Sequence, residues 1–234
     1  GDMSVEIAAL CSNSREKTEN GIFFCFAGAH FDAHQYAPQA VQNGCVALVV
    51  ERFLDDVNVP QVLVSNGRAA MARICEAFFD HPERKMRFVG ITGTKGKTTS
   101  SYLTKAILET AGYKVGLIGT NRNMIGDDAL PAARTTPDAL TLQRLLREMA
   151  DAGCTHAVME VSSHALVQRR AGAIDFALGV FTNLTQDHLD YHKTFENYFN
   201  AKKLLFKQSR MAVINKDDPY ANRMMEGLDI PVMT

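Results

Sequence analysis

The sequence predicts an α/β protein: a small N-terminal α/β module, then a larger domain built on a mostly parallel sheet around a phosphate loop. Two observations lead there. Short apolar runs alternate with helical patterns along the chain, and a glycine-rich turn, ITGTKGKTT at residues 91–99, sits between one such run and a helix. The composition agrees: 234 residues, 46% hydrophobic and 22% charged, with no apolar run near the length of a membrane span.

Taken in order, residues 21–28 (GIFFCFAG) and 45–51 (CVALVVE) are strand-like, and residues 35–43 and 67–79 are helical. Residues 80–85 (DHPERK) join a helix-stopping proline to a charge run and are expected to link two domains, 1–85 and 86–234. Residues 87–92 (RFVGIT) form a short buried strand. The helix over 98–111 places Tyr102, Leu103, Ala106, Ile107 and Ala111 on one face, expected to be buried, with Gly112 to stop it. Further strands at 114–120, 156–161, 176–181 and 211–215 alternate with helices, including 138–149. Such alternation predicts a parallel sheet flanked by helices, with function gathered at the strand carboxyl ends. Gly1 and Asp2, ahead of Met3, are expected to be an expression remnant.

The turn at 91–99 is a phosphate cradle. Loop amides and a helix N-terminus converge on one spot, where a polyphosphate meets N–H groups and the positive end of the helix dipole. Lys97 is expected to reach the outer phosphates and the Thr98 hydroxyl a magnesium ion. The general pattern has glycine where Ile91 stands, so this is a variant with its sharp turn moved to Gly93. The larger domain is therefore expected to be ATPase-like.

Other chemically capable residues lie at later strand ends. Glu160 closes the apolar run AVMEV and is a candidate to hold magnesium, although a solvated strand-end carboxylate fits the same position. Residues 187–192 (DHLDYH) are dense in groups that bind metal or move protons, and spacing does not separate His188 from His192. Lys202 is an anomaly. In the helix that Thr194 would cap, Phe195, Tyr198, Phe199, Leu205 and Phe206 make one apolar face, and Lys202 falls within it. An ammonium there must snorkel, pair with an acid such as Glu160, or lose its charge, which would open it to carbon dioxide.

A formal net charge of −1 and the lack of a basic cluster argue against nucleic-acid or membrane partners. Five cysteines without metal-type spacing are expected to be free thiols in a reducing cytoplasm.

Together these motifs resemble the Mur ligases, and among them the UDP-N-acetylmuramoyl-tripeptide synthetases. The resemblance rests on TGTKGKTT (92–99), RTTPDALTLQ (134–143), MEVSSHALVQRR (159–170), FTNLTQDHLDYH (181–192) and AKKLLF (201–206). It implies ATP-dependent amide formation, adding an amino acid to UDP-MurNAc-L-Ala-D-Glu through an acyl phosphate. Carried over by position, Gly93, Thr94, Lys95, Gly96, Lys97, Thr98 and Thr99 hold ATP, and Thr98 and Glu160 hold magnesium. His188 and a carbamylated Lys202 bind a second magnesium, and Thr135, Thr136, Ser162, Gln168 and Arg170 contact the acceptor. Ser14 and Arg15 belong to the uridine-binding module, where Asn13 replaces the usual acid and Ala33 the usual glycine. Thr135 and Thr136, ahead of Pro137, are also placed to cap the helix over 138–149. The resemblance implies a cytoplasmic monomer whose partners are small molecules, meso-diaminopimelate or L-lysine among them. Members of the family run well past Thr234, into a domain that recruits the amino acid, so this chain is expected to be impaired alone. A non-catalytic nucleotide-sugar-binding module is the alternative.

Overall fold

Short β-branched and aromatic runs make the strands of two separate sheets in a computed structural model that describes residues 4–28 and 31–234. The expected expression remnant lies outside the described residues. Two compact units divide after Cys75.

In the first unit, β1 (Ala9–Cys11), β2 (Gly21–Phe24), β3 (Cys45–Val50) and β4 (Gln61–Leu63) form a parallel sheet in that order. A 3-10 turn at Ala33–Tyr36 leads into α1 (Ala37–Gln42), and α2 is Gly67–Phe78. Phe23, Leu48 and Val50 pack against Ala37 and Ala40. β1 and β4 lay outside the sequence expectation, since three residues carry too little periodicity to register. All five cysteines are buried free thiols.

In the second unit, the stretch expected as a linker contains a 3-10 turn, Pro82–Lys85, with Pro82 and Glu83 buried. Strands β5 (Arg87–Thr92), β6 (Val115–Ile118), β7 (Asn123–Ile125), β8 (Asp128–Leu130), β9 (His156–Glu160), β10 (Phe176–Phe181), β11 (Ala212–Ile214) and β12 (Val232–Met233) form one sheet. Their order is β12-β11-β10-β5-β9-β6-β7-β8. It is parallel except for β7 and β8, an antiparallel edge that the sequence reading did not include. From β5 the chain goes out to β6, returns to β9, then crosses to β10 on the other side of β5. That reversal opens a crevice at the carboxyl ends of the central strands.

The helices are α3 (Lys97–Thr110), α4 (Ala139–Asp151), α5 (Ser163–Val167), α6 (Leu189–His192), α7 (Phe195–Lys203) and α8 (Ala221–Met225). α4 is strongly amphipathic and buries Leu142, Leu145, Leu146 and Met149 against Phe88, Ala157 and Phe176. Its cap is Asp138, which accepts from Thr141 N–H at 3.0 Å, so the expectation that Thr135 or Thr136 caps it is wrong. Thr194 caps α7 as expected, accepting from Asn197 N–H at 3.1 Å.

The expected buried face of α3 is also wrong. Leu103 and Ile107 are 60% and 69% exposed, while Ser101 and Lys105 are buried. The phosphate loop fixes the helix's rotation: with Thr98 aimed at the carboxyl ends of the strands, positions three and seven residues on face the same way. The buried Lys105 satisfies its ammonium by donating to Glu109 at 2.6 Å.

Candidate functional site

The loop between β5 and α3 lies in the crevice. Gly93 and Gly96 have φ of +152° and +82°, and a Cβ at Gly93 would run into the Thr182 side chain. Both positions therefore need glycine. α3 begins at Lys97, so the N–H groups of its first turn have no intrahelical acceptor and face the loop's concavity.

The segment after β10 braces this loop. Asn183 Oδ1 accepts from Lys95 N–H at 2.9 Å, its Nδ2 donates to Lys95 O at 3.0 Å, and Thr182 Oγ1 donates to Lys95 O at 2.7 Å. Thr94 N–H donates to Asn183 O at 2.9 Å, and Thr94 Oγ1 accepts from Thr185 N–H at 3.0 Å. Asn183 was not among the residues expected at the site. It lies within the FTNLTQDHLDYH run, two residues beyond a strand adjacent to β5, but no role was read for it there.

Two lysines meet at one carbonyl. Lys97 Nζ donates to Gly93 O at 2.9 Å and Thr94 O at 3.0 Å, and Lys202 Nζ donates to Gly93 O at 2.8 Å. Lys202 is 2% exposed, and its ammonium also lies 4.5 Å from the centroid of the Tyr198 ring. Burial, reinforced by the Lys97 charge, pushes its pKa down to about 7. Burial lowers Lys97 as well, opposed by the Glu160 and Asp187 charges. Of the fates open to Lys202 from sequence, pairing with Glu160 is not the one found. The ammonium is held by a carbonyl and is poised to lose its proton near neutrality.

Glu160 is fully buried, which removes the solvated strand-end alternative. β9 pairs with β5 so that Glu160 lies opposite Ile91, two residues before Gly93. Its Oε2 accepts from Thr98 Oγ1 and from Thr120 Oγ1, both at 3.0 Å, and its Oε1 accepts from Thr120 N–H at 3.0 Å. A Cβ on Gly119 would strike this carboxylate. Gly119 and Thr120, just past β6, are site residues that the sequence reading missed, because no motif flags a strand-end Gly-Thr.

Next to this carboxylate lie the residues expected at the acceptor. Thr136 Oγ1 donates to Glu160 O at 2.8 Å and accepts from Ser162 N–H at 3.1 Å. Ser162 caps α5, its Oγ accepting from Ala165 N–H. Arg170 donates to Gln168 Oε1 through Nε and Nη2 and to Thr136 O through Nη1, at 2.7 to 3.0 Å. Gln168 Nε2 donates to Tyr191 Oη at 3.2 Å. Thr135 Oγ1 lies 3.0 Å from Thr120 Oγ1. The structure thus draws Thr135, Thr136, Ser162, Gln168 and Arg170 into one network beside Glu160. Ser14 and Arg15 belong to the first unit, where Ser14 Oγ donates to Gln39 Oε1 at 2.8 Å and Arg15 is exposed.

His188 and His192 are distinct here. His188 has φ +52°, is exposed, and stacks edge-on to His164 with centroids 4.9 Å apart. His192 is buried, its Nε2 lies 2.9 Å from Ser163 Oγ, and burial pushes its pKa down to about 4. Among the described residues no cluster of three His, Cys, Asp or Glu side chains is gathered to hold a metal. The Thr98 hydroxyl and the Glu160 carboxylate nevertheless form an all-oxygen pair at the mouth of the phosphate loop. Magnesium takes few protein oxygens and fills its shell with water and phosphate oxygens, so this donor set fits it.

Comparison with known proteins decides the family. The profile of the Mur ligase middle domain matches residues 91–231, more than half of the chain. The chain belongs to the Mur ligase family. The UDP-N-acetylmuramoyl-L-alanyl-D-glutamate–2,6-diaminopimelate ligase 1 of Clostridium acetobutylicum is 48% identical over 97% of this Mur ligase chain and 47% of its own length. A solved structure of a ligase of the same description superposes with a TM-score of 0.83 at 30% identity, over 97% of this chain and 48% of that one. The MurF ligase of Thermotoga maritima in complex with ADP shares the fold, with a TM-score of 0.64 at 21% identity, over 96% and 49%. This chain spans about half the length of the curated relatives it matches.

Proposed function

We propose that this chain is the nucleotide- and acceptor-binding half of an ATP-dependent ligase that adds diaminopimelate to UDP-MurNAc-L-Ala-D-Glu. The choice of diaminopimelate over L-lysine is supported by the relatives' names. The first unit takes the uridine end through the Ser14–Arg15 segment, and the second takes ATP in the loop Gly93, Thr94, Lys95, Gly96, Lys97, Thr98 and Thr99. The observation that carries the reading is Glu160, fully buried yet bonded to the phosphate-loop hydroxyl of Thr98 and, through its own carbonyl, to Thr136.

In this reaction the D-glutamyl carboxylate attacks the γ-phosphorus of ATP and ADP leaves. The amine then attacks the acyl carbon, phosphate leaves, and the nitrogen gives up a proton. Two anions must approach each other, so the site has to supply positive charge and N–H donors. Lys97 leaves its resting carbonyls for the outer phosphates, the first turn of α3 supplies backbone donors, and Arg170 offers its guanidinium to a carboxylate of the acceptor. Thr98 and Glu160 would hold a magnesium ion and His188 would contribute at a second position, and the metal would supply positive charge to offset that of the phosphates. The neutral fraction of Lys202 at its lowered pKa would combine with carbon dioxide to give an anionic carbamate and one proton. The location is the cytoplasm, where nucleotide and thiols coexist, and the chain acts as a monomer.

Titration with ATP tests the nucleotide site. Lys97→Ala is expected to weaken binding about tenfold or more, and unchanged affinity would remove the loop from the account.

A further inference from the structure

Thr120 lies between the two halves of the site and touches both. Its backbone N–H and hydroxyl grip the two oxygens of Glu160, at 3.0 Å each, and its Oγ1 is also 3.0 Å from Thr135 Oγ1. A hydroxyl has one proton and two lone pairs. Thr120 Oγ1 is placed to donate either to Glu160 Oε2 or to Thr135 Oγ1, and its single proton serves one of them at a time, while its backbone N–H holds Glu160 Oε1 throughout. Thr120 thus touches both the proposed magnesium carboxylate and Thr135 of the proposed acceptor site.

Its surroundings leave that carboxylate little freedom. Gly119 has no side chain where one would strike Glu160, and Thr98 occupies Oε2 from the opposite element. Glu160 is fully buried, so water does not replace a lost partner. Thr120 itself is exposed, and its side chain is not needed to fill the core.

We propose that Thr120 is a positioning residue that fixes the carboxylate of Glu160 for magnesium. This rests on the reading of Thr98 and Glu160 as the magnesium–nucleotide site. Residues that orient a metal's carboxylate through hydrogen bonds change metal affinity about 10- to 100-fold when removed. Thr120→Val keeps the shape and the backbone N–H bond but deletes the hydroxyl. Thr120→Ser restores the hydroxyl.

The test is calorimetric titration of this chain and the two variants with ADP, with and without magnesium chloride. Thermal melts accompany it. Parent and Thr120→Ser are expected to gain affinity when magnesium is added. Thr120→Val is expected to lose roughly tenfold of that gain while its magnesium-free ADP affinity stays put, and its melting temperature falls because a buried carboxylate loses a donor. A Thr120→Val protein with the parent's full magnesium gain would overturn the positioning role and leave the nucleotide site standing. A parent with no magnesium gain would overturn the magnesium site itself, and the positioning role with it. If Thr120→Val does not fold, Thr120→Ala gives the same comparison.

Discussion

Lys97 and Lys202 donate to the same acceptor, the carbonyl oxygen of Gly93, at 2.9 and 2.8 Å. One lysine comes from the phosphate loop and the other from a helix more than a hundred residues later. Their mutual repulsion adds to burial in depressing the pKa of Lys202 to about 7. A lysine with that pKa is partly neutral under ordinary conditions and is the nucleophile that carbon dioxide requires. Incubation with 13C-labelled bicarbonate near pH 8 is expected to give a carbamate carbon signal in NMR spectra that Lys202→Arg lacks. An unchanged spectrum in the variant would assign any signal to another amine.

The same two lysines set a pH dependence of stability. Lys202 falls from the ordinary lysine value of 10.5 to about 7 on folding, so between those values the unfolded chain binds more protons than the native one. Stability therefore rises with pH from about 7 to 10.5. His192, lowered from 6.5 to about 4, acts likewise in the acid window, and stability is lost as pH falls from 6.5 to 4. Melting temperatures across these ranges are expected to rise with pH. Lys202→Met is expected to flatten the alkaline slope and His192→Asn the acid one.

Gly119 approaches Glu160 too closely for a side chain. Gly119→Ala is expected to destabilise the protein by about 1–3 kcal/mol through overpacking, measured by urea denaturation, and to weaken magnesium-dependent ADP binding. A stable variant with normal binding would show that the carboxylate has room to move.

Asn183 ties the phosphate loop in place through both ends of its carboxamide. Asn183→Leu removes both bonds and is expected to cost about 1–3 kcal/mol and to speed amide exchange in the loop. The readout is hydrogen exchange at residues 93–96 relative to β9.

In the ligase of full length, Lys202→Ala is expected to abolish turnover while ATP still binds. Near-normal turnover would remove the carbamate from the account.

Much of this was legible from residue order. The run from 87 to 99 specifies strand, tight glycine turn and helix through local chemistry alone, and the structure returns those elements nearly to the residue. Lys202 stood out because a cation in an aromatic stripe has few physical fates, and only the structure could choose among them. The misses have a common cause. Helix α3 presents Leu103 and Ile107 to solvent because the phosphate loop, not the helix's own apolar stripe, sets its rotation. Thr120 and Asn183 act through contacts 40 and 88 residues away in sequence, for which no local pattern exists. The β7–β8 hairpin has three-residue strands, too short for a period of two to emerge.

The most direct test of the central claim, that one chain joins a nucleotide site to an acceptor site, is calorimetric titration with UDP-MurNAc-L-Ala-D-Glu. UDP-MurNAc-L-Ala and the free dipeptide serve as controls. The account predicts that the complete acceptor binds more tightly than either control and that Arg170→Ala erases the advantage. Equal binding of the acceptor and UDP-MurNAc-L-Ala would contradict it, because the residues around Glu160 would then make no contact with the D-glutamyl end.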